Sequence, residues 1–213
     1  MLALLQEAAD EAPSAPSRSL VQSMSREVRA LQEEQLRELP ADQLRTLLQT
    51  LQPLLAPGAA ADEEDEAGEE VEPERALEAA VLVLSFIAVP GMPRALLVEE
   101  VLEAIVTLAK AQYAVVASAA LQSSLAEAAG EASPGGGKRK SPGGAPPKGK
   151  KSAFRETPVQ GVLTLLLERL PALVRTGGLT DSLLLQLGQL GLNAAFAEVP
   201  MPLQTGGMQV VLA

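Results

Sequence analysis

The chain has 213 residues, a formal net charge of −10, and 47% hydrophobic but only 2% aromatic residues, with no Cys, His or Trp. Without Cys there is no disulfide framework, without His there is no imidazole base, and a zinc ion would have to be held by carboxylates alone, which it rarely accepts. The apolar supply is large enough for a core, yet it is mostly Leu, Ala and Val and poor in the aromatic residues that build sheets, so stacked helices are expected.

Residues 1–16 are expected to be a disordered N-terminus. Their start, MLALLQEAAD, lacks the basic head and long apolar middle of a signal peptide, which points to an intracellular protein. A helical hairpin follows over 17–57. Leu20, Val21, Met24, Val28 and Leu31 keep the three-to-four spacing of one helix face, with Ser17 or Ser19 as N-cap. The pattern restarts at Asp42, read as a cap just after Pro40, and runs through Leu44, Leu47, Leu48, Leu51, Leu54 and Leu55 to Pro57-Gly58. Residues 58–73 read as an acidic disordered linker, because the stretch from Asp62 to Glu74 holds nine carboxylates and no base.

A helical pair is expected over 74–130. Its first helix, Glu74 to Val89, is apolar almost all round and should lie buried between neighbours before Pro90-Gly91-Met92-Pro93 breaks it. The second, from Arg94 to Ala129, carries Leu96, Leu97, Val101, Ile105, Leu108, Ala109, Val115 and Val116 on one stripe and Glu99, Glu100 and Glu103 on the other face. The most apolar stretch, Ala79 to Val89, is far shorter than the ~20 residues of a membrane span, so a soluble protein with no membrane partner is expected.

Residues 131–156 read as a basic Gly/Pro/Lys-rich disordered linker, with six cations and no acid between Ser133 and Lys151. The last block, 157–213, opens near Pro158 and runs through Val162, Leu163, Leu165, Leu166, Leu167, Leu170 and Val174 to Gly177-Gly178, with a kink expected at Pro171. Thr180 or Asp181 caps a helix bearing Leu183, Leu184, Leu187, Leu190 and Leu192, and another helix starts around Pro202. The chain stops inside an apolar run, MQVVLA, which reads as the truncated edge of a longer array. The fold class is therefore all-α: helical hairpins of a HEAT-like α-solenoid with disordered linkers, since helix pairs recur at roughly 40-residue spacing. An irregular helical bundle fits the same periodicity.

Little here carries chemistry. The acidic run lacks the Asp-x-Asp-x-Asp-Gly spacing of a calcium loop, and GGGKRKS lacks both the P-loop spacing and its strand. No nucleophile has a base, no carboxylate pair sits in an apolar run, and no cofactor fingerprint is present. The sequence points to a non-enzyme with no cofactor, no metal site and no small-molecule substrate. What remains is the cluster Lys138, Arg139, Lys140, Lys148, Lys150 and Lys151, suited to pairing with phosphates by counter-ion release, and equally to nuclear import or a plain tether. Charge resolved along the chain sharpens this: residues 1–137 carry a net −15 and residues 138–213 a net +5. Five of the six lysines lie in the basic linker, next to Ser141-Pro142, where phosphorylation would weaken anion binding.

Two stretches resemble a known family. ALEAAVLVLSFIAVPGMPRALLVEEVLEAIVTLAKAQY (76–113) is similar to the helix, Met-Pro turn and acidic helix near the start of the folded region of the Nipped-B-like sister chromatid cohesion proteins, the large subunit of the cohesin loader. VLTLLLERLPALVRTGGLTDSLLLQLGQLGLNAAFAEVPMPLQ (162–204) resembles the segment after it, through Leu179, Thr180, Asp181, Gly191, Phe196, Glu198 and Val199. The family also has a Gly- and Lys-rich insertion between the two. The chain departs from the family at 113–130, where AVVASAALQSSLAEAAG replaces a Tyr- and Pro-bearing continuation. The resemblance implies a nuclear scaffold that loads cohesin onto chromatin, with the cohesin complex, the smaller loader subunit and chromatin DNA as partners. The basic cluster would be its DNA contact. The rival expectation is a helical-repeat adaptor unrelated to chromatin.

Overall fold

A computed structural model of the chain describes residues 16–55, 72–131, 157–197 and 199–213, and its regular structure there is wholly helical. In chain order the helices are α1 (Arg18–Ala30), α2 (Glu33–Glu38), α3 (Ala41–Leu55), α4 (Pro73–Ile87), α5 (Glu99–Glu131), α6 (Pro158–Arg175), α7 (Asp181–Phe196) and α8 (Met201–Val211), with a 3-10 turn at Arg94–Leu96.

Local signals start and stop these helices. The Ser17, Thr157 and Thr180 hydroxyls accept from the amides of Leu20, Gln160 and Leu183 at 3.4, 3.3 and 3.4 Å, satisfying donors that the helix itself leaves free. At α6 the Gln160 side chain reciprocates by accepting from Thr157 N at 2.9 Å. Asp42 is not the expected cap. The amides of Gln43 and Leu44 bond the Pro40 carbonyl, and Asp42 lies inside the first turn of α3, where its charge suits the positive helix end and its Oδ1 is 3.4 Å from Arg45 Nη1. Between α4 and α5 the Met92 amide bonds the Val89 carbonyl at 3.2 Å, with Pro90 second and Gly91 third in the turn. Gly91 has φ +88°, the value that the third position of a type II turn requires. The next helix then begins at Glu99, later than the expected Arg94, because the 3-10 turn intervenes. The short α2 lies outside the expected elements. Gly177, at φ +68°, follows the last turn of α6, which continues through Pro171 to Arg175.

Helix α4 is the centre of the packing, touching α1, α3, α5 and α6. Leu77, Ala79, Ala80, Val83 and Phe86 are fully buried, in keeping with the all-round apolar character of this helix. Phe86 lies among Val28, Leu36, Leu44 and Leu47, which ties α4 to the first hairpin. From α4 the packing continues to α6 and then α8, while α3 meets α5 and α5 meets α7. One continuous apolar core results, reaching from Leu20 to Val210. At its rim Arg18 of α1 approaches three carboxylates, with Nη2 2.5 Å from Glu74 and 3.8 Å from Glu78, and Nη1 3.6 Å from Glu72. Gln22 donates to Glu78 at 3.1 Å beside them.

The last two helices meet backbone to backbone. A Cβ at Gly207 would lie 2.5 Å from Ala194 Cβ and 2.8 Å from the Gly191 carbonyl, and one at Gly206 would lie 2.9 Å from Leu167 Cβ. Glycine at these helical positions is what allows α8 to settle against α7 and α6 at once.

The apolar stripes need three corrections. On α5, Val115 is 63% exposed, and the core positions are Tyr113, Val116 and Ala120. Leu165, Leu184 and Leu192 also face outward. Finally, the helix stretch Glu99–Leu125, rather than Ala79–Val89, is long and apolar enough to cross a membrane by length and composition, and 39% of its 18-residue apolar window is buried in the protein. At the edges of the expected linkers, Pro73 opens α4 and Glu131 closes α5. Apart from Glu72, Pro73 and Glu131, those linkers lie outside the described residues, as do residues 1–15.

Candidate functional site

All six cations singled out in the sequence, Lys138, Arg139, Lys140, Lys148, Lys150 and Lys151, lie outside the described residues. The site with definable geometry is elsewhere, between α5 and α7. Helix α5 has 33 residues and α7 has 16, so at about 1.5 Å per residue the longer helix outruns its neighbour by more than ~20 Å. Its phase then matters. Val101, Ile105, Ala109, Tyr113 and Val116 turn into the core, while Lys110, Ala114, Ala117 and Leu121, at i, i+4, i+7 and i+11, form a second stripe beside them.

That second stripe is one wall of an open groove of about 760 Å³. Lys110, Tyr113, Ala114 and Ala117 line it from α5, and Leu190, Leu192, Asn193 and Phe196 from α7. A smaller hollow continues along α5 at Ser118 and Leu121, against Ala197. The α5 wall is floored by alanine, so a helix laid there could approach closely, and Phe196, 84% exposed, stands at the edge as a free aromatic surface.

Two polar features organise the groove. The Tyr113 hydroxyl donates to the Asn193 carbonyl at 2.9 Å, and the same oxygen accepts from Ala197 N at 3.1 Å. The last turn of α7 is thereby held on α5. Burial pushes the Tyr113 phenol above its ordinary value, keeping it a neutral donor. The other feature is Lys110, which lines the groove that also contains the carbonyl end of α7, where a cation is favoured by the helix dipole. Among the described residues no group of three His, Cys, Asp or Glu side chains converges. The groove offers apolar area, an amide and one cation, which is the chemistry of docking a helix that carries apolar residues and a carboxylate.

Sequence reasoning marks none of Lys110, Tyr113 or Asn193. A signal is present all the same: Lys110 is the single lysine outside the basic linker, and Tyr113 is the chain's one tyrosine, set in the apolar phase of a helix. Phe196 enters only through the family resemblance. Comparison with family profiles, with curated proteins and with solved structures found no match to this chain.

Proposed function

We propose that this chain is a helical scaffold segment of a cohesin-loading factor, built as a HEAT-like α-solenoid and acting in sister chromatid cohesion in the nucleus. The observation that carries the reading is that the two stretches resembling Nipped-B-like proteins, 76–113 and 162–204, contribute helices to one core, through α4 on α6 and through Tyr113 on Asn193. The order of neighbours supports the solenoid form. Helices α1, α4, α6 and α8 follow one another in one row and α3, α5 and α7 in a second, as stacked pairs would.

In this reading cohesin or the smaller loader subunit supplies a helix to the α5–α7 groove, and the cations of 138–151 hold DNA phosphates. The basic cluster sits in the connection between α5 and α6, on a chain whose other half is acidic, so DNA contact is confined to it.

The test of the DNA contact is a fluorescence-anisotropy titration of duplex DNA against the whole chain at several salt concentrations. Changing the six cations to Gln should weaken binding and flatten the salt dependence, by about 0.9 in log-log slope for each phosphate that is no longer neutralised. Equal affinity and equal slope in both proteins would remove the cluster from the function. A groove that takes helices while cohesin and DNA are both ignored would favour the adaptor unrelated to chromatin.

A further inference from the structure

Of the sixteen prolines in the chain, three follow a hydroxyl residue, and all three lie around one feature. Ser133-Pro134 and Thr157-Pro158 stand on either side of the six cations of 138–151, and Ser141-Pro142 stands among them. A hydroxyl followed by proline is what a proline-directed protein kinase reads, because the ring fixes the backbone after the acceptor and offers no amide. Thr157 is the member of this set with a described geometry. It is exposed, as is Pro158, and its backbone is extended, at φ −83° and ψ 153°. The other two side-chain caps, Ser17 and Thr180, are followed by Arg18 and Asp181 and lack the motif.

The hydroxyl of this pair also starts α6. Thr157 Oγ1 accepts from Gln160 N at 3.3 Å, a long bond for a neutral cap, while the buried Gln160 side chain accepts from Thr157 N at 2.9 Å. To enter a kinase cleft the first turn has to open, and a helix end opens at low cost. Closing again with a phosphate in place sets three acceptor oxygens and their charge against the positive end of α6. From the motif, its exposure and its place beside the cations, we infer that Thr157 is phosphorylated by a proline-directed kinase. In that step Thr157 Oγ1 bonds the γ-phosphorus of ATP and the bond from that phosphorus to its bridging oxygen breaks. ADP leaves, and the hydroxyl proton passes to a base of the kinase.

The consequence falls on the neighbouring charges. From Ser133 to Thr157 the chain carries seven cations and one acid, Glu156, and a phosphothreonine adds about −1.5 to −2. It stands two residues from Arg155 and six from Lys151. Anionic charge there competes with duplex phosphates for the same cations, so phosphorylation weakens the hold on DNA while it firms the start of α6. The effect on DNA rests on the contact proposed above; the acceptor site and the effect on α6 do not.

The test uses the whole chain carrying Ser133→Ala and Ser141→Ala, so that Thr157 is its one remaining proline-directed site. It is incubated with a purified proline-directed kinase and ATP and mapped by peptide mass spectrometry. One phosphate is expected, on Thr157, and none once Thr157→Ala is added. Gln160→Ala, which removes the reciprocal bond, should speed the transfer by about two- to tenfold. The phosphorylated chain should melt about 1–4 °C higher, with a smaller gain at high salt. It should also bind duplex DNA at least about threefold more weakly at low salt. An unmodified Thr157, whether or not the same kinase modifies Ser141 in the parent chain, overturns the assignment. A phosphorylated chain that melts no higher overturns the cap, and equal DNA affinity with and without the phosphate overturns the regulatory role. Should the unmodified chain ignore DNA, the function proposed above fails, and transfer and melting still decide this site.

Discussion

The hydroxyl of Tyr113 on α5 donates to the main-chain oxygen of Asn193 on α7 at 2.9 Å, joining positions 80 residues apart across the groove. Removing it with Tyr113→Phe leaves the Asn193 carbonyl with the Ala197 amide alone, and should cost about 0.5–1.5 kcal/mol in urea unfolding. An unchanged midpoint would mean that the end of α7 is held by packing only.

The same residue sets a pH dependence. Its phenol is raised above 10.0 by burial, so the folded state favours the neutral form. Stability from this source is complete below about pH 10 and is lost as pH rises through the higher folded value. Tyr113→Phe should therefore lose less stability than the parent chain above about pH 10. Since Tyr113 is the one tyrosine and there is no tryptophan, phenolate absorbance reports its titration directly, and a midpoint at the ordinary value would contradict the burial described.

Gly207→Ala places a methyl group 2.5 Å from Ala194 Cβ and should destabilise by about 1–3 kcal/mol as α8 is pushed from α7. Gly188→Ala, on the same α7 with nothing within 4 Å of its new Cβ, should stabilise by about 0.5–1 kcal/mol through helix propensity. Thermal unfolding of the pair checks both signs, and equal effects would contradict the close helix contact.

Phe86→Ala empties a fully buried site shared by α4 and the first hairpin, with an expected loss of about 3–5 kcal/mol in denaturant titration. Arg18→Gln, by contrast, breaks pairs formed by a side chain 39% exposed, and should cost under about 1 kcal/mol, less still at high salt.

Helix existence was legible where a periodic stripe coincided with a cap, as at Ser17 and Thr180, because both signals are local. Phase was less legible. Val115 and Val116 are equally apolar, but a step of about 100° per residue puts one in the core and the other in water, and only the position of neighbouring helices decides which. Asp42 looked like a cap because Asp favours both the cap and the first turn, and the Pro40 carbonyl settled the register. A Gly206-Gly207 pair is by propensity a weak point in a helix, and its use is visible only once Leu167 and Ala194 are seen against it. The groove was hidden for the same reason: Lys110 and Asn193 are 83 residues apart in sequence and come together only through the packing of α5 on α7.

The proposed binding of cohesin machinery by this scaffold is tested by co-precipitation of the purified chain with purified cohesin and the smaller loader subunit. The parent chain should retain one or both, and Leu121→Glu combined with Phe196→Glu, which charges both walls of the groove while leaving the core intact, should lose at least about tenfold in retained partner. A folded parent chain that retains neither partner would contradict the account.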